Sequence, residues 1–182
     1  MERWFSAMNR IKNILTDALL YWLQIVICVW PAFFVGHNFV GLIVRMLAND
    51  QGRFWSRISS VFACVFILCA FLFVFAYRRG YKKVEFHGIS LLISLILAVA
   101  LQLVYARIFH FAEYTTAGAY YLAHLLYAGG QQELTFSYND VPANMYIIAM
   151  FVTDVFYIIT GILGEYLGKR KRLQERADLN LN

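Results

Sequence analysis

Apolar residues in this chain come in long runs rather than at alternating or helix-periodic positions. Three runs, 58–77, 89–111 and 145–167, are apolar almost throughout. A helix needs about 20 such residues to cross the hydrocarbon core of a bilayer, about 30 Å thick, so each run predicts one membrane span. The first holds no charge, the second only Arg107, and the third Asp154 and, near its end, Glu165. A fourth run, 15–47, is different. As a straight helix it would reach about 49 Å, too long for one span and short for two. Trp30-Pro31 and Gly36-His37-Asn38 interrupt it, and proline removes a backbone donor and kinks a helix. The pattern predicts a span over 15–35, a bend, then a short amphipathic or re-entrant piece ending near Arg45.

The stretch 112–144 contains neither Lys nor Arg. Its first half, 114–128, is apolar and rich in Tyr but too short to span. It predicts a helix lying at the interface, where Tyr can keep one end apolar and the other wet. Gly129-Gly130 and Asp140-Val141-Pro142 are turn signals that make 129–144 a loop. The fold class expected is therefore an all-α integral membrane protein. It is a bundle of about four transmembrane helices, with a bent first segment and an interfacial helix in the 112–144 loop. One domain covers 1–172, a polar, flexible tail covers 173–182, and no internal repeat is visible.

Composition narrows the class. The chain is 61% hydrophobic and 15% charged, against about half and about a quarter in an ordinary soluble domain. A soluble globular domain is excluded, and with 16 Lys+Arg against 11 Asp+Glu so is an acidic disordered chain.

Charge placement then sets orientation. With four spans, Arg3, Arg10, Lys12, Arg78, Arg79, Lys82, Lys83, Lys169, Arg170, Lys171, Arg172 and Arg176 fall on one face, and only Arg45, Arg53 and Arg57 on the other. Basic residues of short loops stay on the cytoplasmic side, so a plasma-membrane protein with both termini cytoplasmic is expected. A six-span alternative would separate the N-terminal basic cluster from the 78–83 cluster. The first run exceeds a signal h-region and has no small-residue cleavage site after it, so it is expected to remain as an anchor. No Asn is followed two positions later by Ser or Thr, so no glycosylation acceptor is present.

Ionisable groups within spans are costly and default to functional candidates. Asp154 is the foremost, with Gln102 of the third run at a similar depth, suited to hydrogen-bond it. Arg107, His110 and Glu113 follow one another along one side of a helix near the outer end, and His37 and His124 are expected at the same level. Imidazoles and a carboxylate could ligate zinc, but no tight ligand spacing such as His-Glu-x-x-His occurs. The expectation is contact with lipid phosphate or water, with no metal and no cofactor. Cys28, Cys64 and Cys69 lie in apolar runs without a nearby charge to form a thiolate, and read as packing residues. Ser90 and Ser94, one turn apart, read as helix-packing groups. No Ser-His-Asp arrangement, phosphate-cradling loop or redox cysteine pair is found.

Gly161, Gly164 and Gly168 form a stripe on the last run, and Gly164-x-x-x-Gly168 lets two helices approach closely, a contact expected to assemble the chain with a second copy or a partner. The same stretch, Gly164-Glu165-Tyr166-Leu167-Gly168-Lys169, resembles the Gly-Glu-Tyr-Leu-Gly-Arg signature near the end of the last membrane helix of polyprenyl-phosphate glycosyltransferases. The resemblance covers about ten residues, and the acidic metal-binding motif of that family's catalytic domain does not occur in this sequence. It implies contact with a polyisoprenoid or anionic lipid at the cytoplasmic face. Arg78, Arg79, Lys82 and Lys83, with Lys169, Arg170, Lys171 and Arg172, are the residues placed to contact anionic lipid, at about 1 kcal/mol each. Because these charges flank spans, the pI near 9.2 does not call for a nucleic-acid partner.

These features favour a small, non-enzymatic transporter or channel-like component, or an accessory subunit of a membrane complex. Membrane lipids and a second copy or larger complex are its expected partners. An enzyme or handler of lipid-linked substrates using Arg107, His110 and Glu113 is the alternative, and a structural or immunity-type membrane protein is a third.

Overall fold

The computed structural model describes residues 2–47, 52–82, 88–109, 122–123, 126–127 and 143–180, and every described residue is helical. Helix α1 is Glu2–Phe33; a π-helix, Phe34–Gly41, follows it directly, and α2 is Leu42–Leu47. Then come α3, Gly52–Lys82, α4, Gly88–Phe109, and α5, Ala143–Asn180. Four stretches are long and apolar enough to cross a membrane: Met8–Leu47, Ile58–Lys82, Gly88–Tyr105 and Met145–Leu179. The number agrees with the sequence pattern.

The first segment differs from expectation. Instead of a break at Trp30-Pro31 and a separate re-entrant piece, helical backbone continues through Pro31 to Leu47. The π-helix, a wider turn often found where the regular ladder is disturbed, begins just after the proline. Helix α3 accepts the irregular backbone: Cys64 Sγ donates to Ala32 O at 3.4 Å and Ser56 Oγ to Gly41 O at 2.7 Å. Side chains of a neighbouring helix commonly satisfy carbonyls freed this way. Gly36 allows the approach, since a Cβ there would lie 3.0 Å from the Cys64 backbone nitrogen.

The core is a column of Tyr21, Ile25, Leu68, Leu72, Leu95 and Tyr157, drawn from α1, α3, α4 and α5. Outside it the usual soluble pattern is reversed. Phe66 is 75% exposed and Phe151 71%, and large apolar side chains cover the outer faces of all four long helices. Ser94 Oγ ties α4 to α1 by donating to Ile14 O at 3.2 Å.

Helices α3 and α5 form the most extensive pair, and small residues explain it. Gly164 faces Ala76, where a Cβ would lie 2.8 Å from the Ala76 side chain and 2.9 Å from Phe73 O. A Cβ at Gly168 would strike Tyr77 O, and one at Gly80 would strike the Glu165 backbone. Ala76-x-x-x-Gly80 on α3 thus meets Gly164-x-x-x-Gly168 on α5, two small-x-x-x-small faces in direct backbone contact. Gly161 instead meets the Leu95 side chain of α4. The stripe is consumed inside the chain, so the contact with a second copy or partner that it allowed is not available to it.

Most of the 112–144 segment lies outside the described residues. Ala123 is buried against Ala149 and Met150, with Met145 and Tyr146 alongside, so this helical fragment covers the start of α5. At the other end α5 continues through 173–180.

Candidate functional site

The close α3–α5 approach brings charge inside the bundle. Arg79 precedes Gly80 and Glu165 follows Gly164, so the backbones that touch also deliver a cation to a carboxylate. Arg79 Nε lies 3.2 Å from Glu165 Oε1, and Arg79 Nη2 pairs with Asp17 Oδ1 of α1. Tyr21, one turn after Asp17, donates its hydroxyl to Glu165 Oε1 at 2.6 Å. The Tyr21 ring lies under the guanidinium, with its centroid 5.3 Å from Cζ, a cation–π geometry. Glu165 is 1% exposed and Asp17 8%. One guanidinium therefore serves two buried carboxylates from two helices, in a fork that only arginine can supply.

A second polar group lies farther along α5. Asp154 is eleven residues before Glu165, about 16 Å along the axis and within about 20° of the same face. It is 3% exposed. Neither of its oxygens has a hydrogen-bond partner among the described residues. Helices α4 and α5 run antiparallel, and Gly161 faces Leu95. Stepping two turns from that contact along each helix sets Asp154 opposite Gln102, itself 1% exposed. The expected hydrogen bond to the Asp154 carboxyl is not formed among the described residues. Thr153 beside it turns inward to its own helix, donating to Met150 O at 2.9 Å. Tyr157, one turn on, lies within electrostatic reach of Asp154, Cys64 and Cys69. All three cysteines are free.

No protein-family model, curated protein or solved structure matches the chain. Its chemistry is therefore read from its own residues.

Among the described residues no three of His, Cys, Asp and Glu gather to hold a metal. His37 falls in the π-helix and Arg107 in α4, with side chains outside the description, and His110, Glu113 and His124 lie outside the described residues. The basic residues divide. Arg79, expected at the lipid surface, is instead held inside by Asp17 and Glu165, because its neighbour Gly80 abuts α5. Arg78, Lys82 and Lys171 line one open groove with Tyr77, Tyr81 and Glu175. Lys169 and Arg170 line another with Tyr166 and Leu173, while Arg172 is half-buried and Lys83 lies outside the described residues.

Sequence reading alone missed Asp17 and Tyr21. The signal existed: Asp17 is the single acidic residue between Lys12 and Asp50, and a lone acid in an apolar run calls for a cation at the same depth.

Proposed function

We propose that this chain is a small multi-pass plasma-membrane protein with both termini cytoplasmic, acting as a proton-linked transport component or accessory subunit rather than as an enzyme. The observation that carries the reading is Asp154, a carboxyl group enclosed midway along the bundle with no hydrogen-bond partner at either oxygen among the described residues. Removed from water without a partner, a carboxylate is far more costly than the neutral acid. Such a group persists in a span chiefly where uptake and release of a charge is its task. A proton suits it better than a metal ion. A hard cation needs six or more oxygen ligands, and the neighbouring Gln102, Thr153 and Tyr157 are not arrayed as such a shell, whereas a proton needs only one oxygen.

The Asp17–Arg79–Glu165 cluster supports the orientation. It lies where α3 and α5 reach their basic ends, which on our reading is the cytoplasmic edge of the hydrocarbon. Twenty residues onward from Asp17 reach the π-helix, which then lies at the opposite edge. Proteoliposomes loaded with a pH-sensitive dye test the transport reading. Wild-type protein should collapse an imposed pH gradient faster than empty liposomes, and Asp154→Asn should return the rate to that background. Equal rates for the wild type and D154N would overturn it.

A further inference from the structure

The geometry points to a binding site for the phosphate of an anionic membrane lipid, in the groove between the basic ends of α3 and α5. This groove has a volume of about 310 Å³ and is lined by Tyr77, Arg78, Tyr81, Lys82, Lys171 and Glu175. Arg78 and Lys82 lie one helical turn apart on α3 and are exposed, and neither has an ion pair among the described residues. Lys171 faces them from α5, with its side chain 54% exposed. Three cations thus converge on one concavity from two helices.

The one acid present is already engaged. Glu175 accepts the Tyr81 hydroxyl at 2.5 Å and lies 3.7 Å from Lys171 Nζ. It offsets Lys171 and leaves Arg78 and Lys82 facing an open space without a counter-charge. An arginine fork and an ammonium form a donor set for phosphate oxygens.

Position selects the source of the phosphate. The groove opens where the apolar runs 58–77 and 145–167 give way to the basic residues of α3 and α5, and the exposed apolar faces of both helices run up to it. Acyl chains of a lipid held by its phosphate would lie along those faces. Tyrosine rings belong at this level, and the cytoplasmic leaflet carries the anionic lipids. A free phosphate ion would satisfy the cations but leave the apolar faces unused. The inference shares with the transport reading the placement of these helices in a membrane with their basic ends at the cytoplasmic face; it does not depend on Asp154.

Native mass spectrometry of the full chain tests it, after exchange into nanodiscs of phosphatidylglycerol mixed with phosphatidylcholine. Wild-type protein should retain phosphatidylglycerol selectively, and millimolar inorganic phosphate should not displace it. R78A/K82A should weaken retention about 30-fold, at about fivefold for each side chain. The double variant R10A/K12A removes equal charge from the exposed start of α1 and should change retention much less. Glu175→Gln removes the competing carboxylate and should strengthen retention, an outcome that loss of fold cannot mimic. Retention that is indifferent to lipid charge, equal losses in the two double variants, or displacement by free phosphate would each overturn the site. A result of that kind with D154N still blocking proton flux would leave the transport reading standing.

Discussion

At the scale of single residues the protein keeps two kinds of buried charge, and they behave differently. Arg79 holds Asp17 and Glu165, and Tyr21 completes the acceptor geometry of Glu165. Removing one partner from a buried ionic group leaves the others uncompensated and costs about 3–5 kcal/mol. Arg79→Met should therefore lower the unfolding midpoint in detergent sharply. The triple variant R79M/D17N/E165Q should recover much of the loss, because no buried carboxylate remains unpaired. If the triple variant unfolds no later than R79M, the charge balance of the cluster is not what stabilises it. Asp154 is the opposite case. It has no partner to lose, so Asp154→Leu should raise stability by about 1–3 kcal/mol, the cost of leaving a polar group buried and unmade. A lowered midpoint would show that Asp154 supports the fold. Asp17 was legible in part, as an acid isolated in an apolar run, but its partner was not. Arg79 sits among four basic residues within 78–83, and nothing local separates it from Arg78, which points into the groove.

At the scale of helices, small residues decide which backbones touch. The graded contacts of the packing glycines of α3 and α5 predict a graded series. Gly168→Ala and Gly80→Ala drive a methyl group into opposing backbone and should each cost about 1–3 kcal/mol. Gly161→Ala meets only the Leu95 side chain, 2.9 Å from its Cδ2, which can turn away, so its thermal shift should be clearly smaller. Equal shifts for the three would mean that the helices separate as rigid bodies. The Gly164-x-x-x-Gly168 motif was readable from sequence, whereas its counterpart Ala76-x-x-x-Gly80 lay hidden in a run of aromatic and basic residues. The first segment also needed the structure. Proline and glycine mark a disturbance, but whether it becomes a bend or a π-helix depends on what receives the freed carbonyls. Here Ser56 and Cys64 of α3 receive them.

At the scale of the whole molecule, orientation in the membrane is open to direct test. Single cysteines replacing Arg45 and Arg176, in a chain whose native cysteines are changed to alanine, should react differently with a membrane-impermeant thiol reagent. In intact cells R45C should label from outside, and R176C only after permeabilisation. The reverse pattern would invert the arrangement and remove the lipid-site inference with it. What the sequence by itself determined was the number of helices long and apolar enough to cross a membrane, their approximate places and the basic clusters that flank them. Those follow from windows of about 20 neighbouring residues, and bilayer thickness acts on each window separately. Only the tertiary structure decided which charges are buried, which basic residues line the groove and where Asp154 sits. Asp17, Arg79 and Glu165 belong to three helices far apart in the chain. Their meeting depends on the depth of each helix and its rotation about its own axis. Both are set by contacts between helices: the Gly164–Ala76 and Gly168–Tyr77 approaches, and the π-helix seated on α3.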